Sequence, residues 1–141
     1  MTQSEVKHIL GAAGVKHKRY AAARDKADAY RRQLTGRTVR TDDDGGQDSR
    51  KNSTEEGYIR LAELDEEADR ARREWLDARK ETERLIDMCQ VEIWAQVLTY
   101  RYLNHYRFES IAAVLGYSDR QIYRAHKKSL QFLAEKMQRC Q

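Results

Sequence analysis

The side chains best suited to chemistry in this sequence gather near its C-terminal end: Ser118, Arg120, Gln121, Tyr123, Arg124, Lys127 and Lys128, with Arg107 a little upstream. Arginine presents paired donors, and glutamine a donor beside an acceptor, that match the base edges exposed in the major groove of duplex DNA, and lysine suits phosphate as a point charge. Tyr123 can pack on a sugar or a thymine methyl. Asp119, the one acid at the start of this run, can complement a helix dipole or accept from a cytosine amino group. On charge alone, the same residues describe no more than the solvated basic face of an amphipathic helix. What precedes them decides between the two.

From Phe108 to Lys127 the chain reads FESIAAVLGYSDRQIYRAHK. Ile111, Leu115, Ile122 and Ala125 stand where two short helices crossing steeply would share a core, and Ala112 is small enough to let them approach. Gly116 follows Leu115, at the place where a helix end needs a residue able to take positive φ. Tyr117 is expected to fill the corner, and Ser118 supplies an oxygen to cap the next helix. This order of apolar, small, glycine, cap and polar positions is that of a helix-turn-helix. It leaves Ser118, Arg120, Gln121, Tyr123, Arg124, Lys127 and Lys128 on the outer side, opposite Ile122, Ala125 and Leu130. His126 has no partner spaced for metal binding and reads as a surface or packing residue.

Three short helices, at about 91–103, 108–115 and 118–136, account for the C-terminal third, with breaks at Asn104–Tyr106 and Gly116–Tyr117. Two long helices precede them. In the first, about 4–34, Val6, Ile9, Leu10, Ala13, Tyr20, Ala27, Tyr30 and Leu34 recur mostly at three- and four-residue steps, with Gly11 and Gly14 weakening its first turns. The second is expected from Thr54, as its cap, to about Asp87. Leu61, Leu64, Ala68, Ala71, Trp75, Ala78, Thr82 and Leu85 form a narrow, nearly heptad seam between charges of both signs. A helix with so narrow a seam takes its stability from a partner, either the first helix folding back or the same helix of a second copy. Between them, residues 35–54 are polar and glycine-bearing and read as a flexible connector. The expectation is an all-α chain: a coiled-coil-like two-helix hairpin over 1–90, then a small helix-turn-helix bundle over 91–141.

Composition narrows the function. With 35% charged residues and a mean hydropathy of -0.95, 141 residues hold too little apolar material for one large core. No proline interrupts a helix. The net charge of +4 is unevenly spread. Residues 1–40 carry ten Lys/Arg against three Asp/Glu, residues 42–100 nine against seventeen, and residues 101–141 eight against three. The basic last segment is where a phosphate footprint belongs, and the acidic middle would repel DNA. Cys89 and Cys140 belong to no ligand pattern; Cys89 is expected to be half-buried and Cys140 to lie in a frayed end. No apolar run suits a signal peptide or a membrane span, so a reduced, cytoplasmic setting without membrane contact is expected. No glycine-rich phosphate loop, metal cluster or nucleophile–base pair emerges, which argues against an enzyme and calls for no cofactor.

The segment from about Glu92 to Leu133 resembles region four of bacterial sigma factors. It is still more similar to phage and prophage transcription regulators of the ArpU and RinA type. The residues that carry the resemblance are Arg101–Tyr102, Ile111–Ala112, Leu115–Gly116–Tyr117–Ser118, Arg120–Gln121, Tyr123–Arg124, His126 and Ser129–Leu130, with Ser129 standing where alanine is usual. The resemblance implies activation of a phage or prophage operon through binding of double-stranded promoter DNA, with contact to RNA polymerase; the narrow seam of the hairpin, separately, leaves open a homodimer formed through it. Two other classes remain open: a DNA-packaging protein of small-terminase type, and a sigma-like adaptor that docks on polymerase without reading DNA.

Overall fold

Alanine, leucine, arginine and glutamate dominate a chain without proline, and its backbone follows that propensity almost throughout. The computed structural model describes residues 1–39 and 47–139, with side chains over 1–36 and 54–139. The fold is all-helical: α1 (Gln3–Val39), α2 (Gln47–Asp87), α3 (Glu92–Leu98), a π-helical turn (Thr99–Leu103), α4 (Phe108–Leu115) and α5 (Asp119–Arg139).

The long helices run further than their apolar pattern suggests. α1 reaches Val39 and α2 starts at Gln47, so both enter the stretch expected as connector, and Thr54 lies inside α2 instead of capping it. Polar side chains do not themselves stop a helix, and no proline is present to do so. The rest of the expected connector, 40–46, lies outside the described residues, as does Cys140. The first turn of α1 is held by a capping box. The Thr2 N–H donates to Glu5 Oε2 at 2.8 Å, and the Glu5 N–H donates to Thr2 Oγ1 at 3.2 Å.

The chain divides into two compact units, Met1–Lys16 with Trp75–Gln141 and His17–Glu74. The boundary expected near residue 90 therefore falls inside the first unit. In both units the partner of α1 is α2 of the same chain, running antiparallel. In the second unit Ala27, Leu34, Leu61, Leu64 and Ala68 are buried, and Arg31 spans to Asp65 with two bonds of 2.9 Å. Leu34 there lies over Gly57, where a Cβ would stand 2.5 Å from Leu34 Cδ2. In the first unit Thr82 is wholly buried and donates to the Ala78 carbonyl at 3.1 Å and to that of Leu10 at 3.5 Å. The apolar seam thus closes within the chain.

Two cores organise the first unit. One joins Val6 and Leu10 of α1, Leu85 and Ile86 of α2, Leu98, Tyr102, and Leu130, Leu133 and Ala134 of α5, with Cys89 half-buried against it. The other joins Val97, Ile111, Ala112, Ile122 and Ala125, as the helix-turn-helix pattern requires. Where one helix was expected over 91–103, α3 passes at Thr99 into the π-helical turn. The Asn104 N–H there donates to the Thr99 carbonyl at 3.1 Å, and that of Tyr106 to Tyr100 at 2.9 Å. Among the described residues no helix is long and apolar enough to cross a membrane.

The close approach at Gly57 yields a test. Gly57→Ala should lower stability by about 1–2 kcal/mol, because the buried Leu34 must leave its rotamer. Gly11→Ala, with nothing within 4 Å of the added carbon, should raise it by about 1 kcal/mol through helix propensity. Urea unfolding of both variants reads the contrast, and equal midpoints would refute the packing argument.

Candidate nucleic-acid interface

Local chemistry sets the angle between α4 and α5. Gly116 adopts φ 76°, and both its N–H and that of Tyr117 donate to the Ala112 carbonyl, at 2.9 and 3.0 Å. The left-handed residue turns the chain sharply enough for Ile111 and Ala112 to meet Ile122 and Ala125. A capping box then opens α5: the Gln121 N–H donates to Ser118 Oγ at 3.2 Å, and the Ser118 N–H donates to Gln121 Oε1 at 2.9 Å. Tyr117 does not fill the corner as expected. It is 42% exposed, because the αL turn directs residue 117 outward, and Val114, on the open side of α4, is 56% exposed.

The inner side of α5 carries Ile122, Ala125, His126, Ser129, Leu130, Leu133 and Ala134, all buried. Ser129 is buried without leaving a polar atom unpaired, since its hydroxyl donates to the His126 carbonyl at 2.6 Å. The outer side brings together Arg120, Tyr123, Arg124, Lys127 and Lys128, which with Gln131 line one shallow groove. The positions 120, 124, 127 and 131 form a single helical stripe, and Tyr123 and Lys128 flank it. Ser118 and Gln121 stand at the helix start, where their polar atoms are drawn into the cap. Arg107 is exposed at the N-cap position of α4, apart from that groove.

Tyr123 is less free than the sequence suggests. Its ring lies 4.7 Å from that of Phe108, and its hydroxyl donates to Glu109 Oε1 at 3.4 Å, so it braces α5 against the start of α4. Phe108 in turn carries the Arg101 guanidinium 4.5 Å above its centroid, and Arg101 donates to the Tyr106 carbonyl at 3.1 Å. These bracing roles of Phe108, Glu109 and Arg101 escape sequence reading, since they depend on contacts between helices.

His126 is a packing residue. Its Nε2 lies 2.7 Å from the Tyr102 hydroxyl, its ring stacks on Tyr102 at 5.8 Å, and it meets Phe108 edge-on at 5.0 Å. Burial, helped by the nearby positive charges of Lys7 and Arg101, pushes its pKa down to about 4, so it is neutral at pH 7. Burial likewise pushes the Tyr102 hydroxyl up to about 12 and the Cys89 thiol to about 11, which leaves Cys89 a poor nucleophile at neutral pH. No cluster of three or more metal-ligating side chains occurs among the described residues.

Comparison with protein-family models, with curated proteins and with solved structures returned no match.

Two outcomes follow from this geometry. Gly116→Ala should cost about 1–2 kcal/mol, the penalty of a Cβ in the left-handed region, read as a lower unfolding midpoint. His126 binds its proton more weakly folded than unfolded. Stability should therefore fall as pH drops from about 6.5 towards 4, by up to ~3 kcal/mol, and be level for this group above pH 7. His126→Gln should flatten that limb in a pH series of urea melts, and an unchanged limb would assign it to other groups.

Proposed function

We propose that the protein is a sequence-specific DNA-binding transcription regulator that sets the N-terminal half of α5 in a major groove. One observation carries this reading. Arg120, Arg124, Lys127 and Lys128 share one outer face beyond a capped, tightly turned helix pair, and none of them enters an ion pair among the described residues. Ion pairs such as Arg31–Asp65 and Arg79–Glu83 lie instead on α1 and α2. Exposed cations left without counter-charges on a rigid convex helix suit a polyanion.

Roles divide by position. Arg120 and Arg124, one turn apart near the helix start, are the base-reading candidates. Lys127, Lys128 and Arg107 anchor phosphates and set the register. Tyr123, held by Phe108, offers a rigid face to a sugar or a thymine methyl. Ser118 and Gln121 hold the end of the helix, and only the Gln121 NH₂ remains for a base. The resemblance to the ArpU and RinA regulators supports a finer reading: activation of a phage or prophage operon in the cytoplasm, with the hairpin touching RNA polymerase or a second copy. A homodimer would use the outer faces of α1 and α2, because their seam is filled within the chain.

The test is binding to promoter-bearing duplexes from the chain's own genomic neighbourhood, against random competitor and across a salt range. Arg124→Ala should cost roughly 1–3 kcal/mol on the preferred site and relax specificity there, whereas Lys128→Ala should weaken all duplexes alike and flatten the salt dependence. Equal losses on preferred and random DNA for Arg124→Ala would remove its base-reading role. Wild-type binding no tighter than to competitor would point to polymerase docking or packaging.

A further inference from the structure

The first helix carries cations that the hairpin does not employ, and the position of one of them is informative. Val6 and Leu10 pack in the same core as Leu130 and Ala134 of α5. Positions 123, 127, 130 and 134 form one stripe along α5, so the stripe whose lower half shares a core with α1 carries Tyr123 and Lys127 at its upper, exposed half. Lys7, next in the chain to Val6, is exposed.

A second contact orients the same side of α1. Lys7, Gly11 and Gly14 fall on one stripe, and a Cβ at Gly14 would stand only 3.2 Å from Cε1 of His105. His105, at φ 60°, belongs to the turn that ends at Arg107. The Gly14 end of the Lys7 stripe thus lies against the segment that leads into Arg107. The charge there is uncompensated. Glu5 is the acid of this part of α1, and its carboxylate is drawn back to the Thr2 N–H. Lys7 enters no ion pair among the described residues. Its field and that of Arg101 both reach His126, which stays neutral and so adds no charge to the cluster.

We propose that Lys7 is part of the DNA-contacting surface: α1 supplies a backbone phosphate contact beside the groove of α5, between Lys127 and Arg107. The inference rests on the DNA-binding reading and extends it to a helix outside the helix-turn-helix. Its partner is the phosphodiester backbone, so it adds affinity on every sequence and no base preference.

The experiment is fluorescence anisotropy of a labelled random-sequence duplex, titrated with full-length wild type, Lys7→Ala and Lys7→Arg at several salt concentrations. Circular dichroism confirms that the exposed substitutions leave the fold intact. Lys7→Ala should bind severalfold more weakly at low salt, with the slope of log K against log salt shallower by about 0.9, and Lys7→Arg should keep the wild-type slope. Wild-type binding with an unchanged slope in Lys7→Ala overturns this inference while leaving the DNA-binding reading intact. A wild type that binds no duplex overturns both.

Discussion

Everything in the first unit depends on α5 spending one apolar face on two cores. Ile122 and Ala125 close the small core with α4, and one to three turns later Leu130, Leu133 and Ala134 close the larger core with α1 and α2. A helix clamped at both ends of the same face has no freedom to roll. Its opposite side, with Arg120, Arg124 and Lys127, is therefore fixed in direction by packing that none of those residues takes part in. The clamp also explains why the unit does not begin at residue 91. Without Val6, Leu10, Leu85 and Ile86, the second half of α5 would expose a row of large apolar side chains, at roughly 1.5–3 kcal/mol for each.

Polar interactions refine what packing fixes. The Ser118–Gln121 box and the Gly116 turn determine where α5 starts and at what angle it leaves α4. The chain Arg101–Phe108–Tyr123 stiffens the outer edge of that angle. Tyr102 and His126 fill the remaining space as a hydrogen-bonded, uncharged pair. Keeping His126 neutral matters because Lys7 and Arg101 already bring positive charge close to it, and a third charge in a buried site would have no counter-ion.

Much of this was legible in the sequence wherever local chemistry decides. The bounds of α4, the turn at Gly116 and the cap at Ser118 follow from residue types whose preferences agree with the final fold. The seam from Leu61 to Leu85 was visible as a seam, but its partner was not, because periodicity records which side is buried and not by what. Burial of Leu34 over Gly57 and of Thr82 against Leu10 depends on that partner. The helix ends near residues 39 and 47 were missed because glycines and acids weaken a helix without forbidding it. At the candidate site, the outward residues on α5 were identified by spacing, whereas the engagement of Tyr123 with Phe108 and Glu109, and the place of Lys7, required the tertiary fold.

The capping box has a consequence for how the proposed surface could read a sequence. A glutamine that reads adenine does so with both its oxygen and its amide nitrogen. Gln121 Oε1 already accepts from the Ser118 backbone and approaches its hydroxyl at 3.2 Å. Turning the carboxamide towards a base would give up the reciprocal half of the box, the bond from the Ser118 N–H, at about 1 kcal/mol, and would loosen the turn that aims the helix. Gln121 is thus better suited to hold the angle than to choose a base. On the proposed reading, discrimination would fall to Arg120 and Arg124, whose guanidinium groups enter no ion pair among the described residues and can form bidentate contacts without disturbing the fold. A surface with two such readers among several phosphate-binding cations would recognise a short element and take much of its affinity from the backbone.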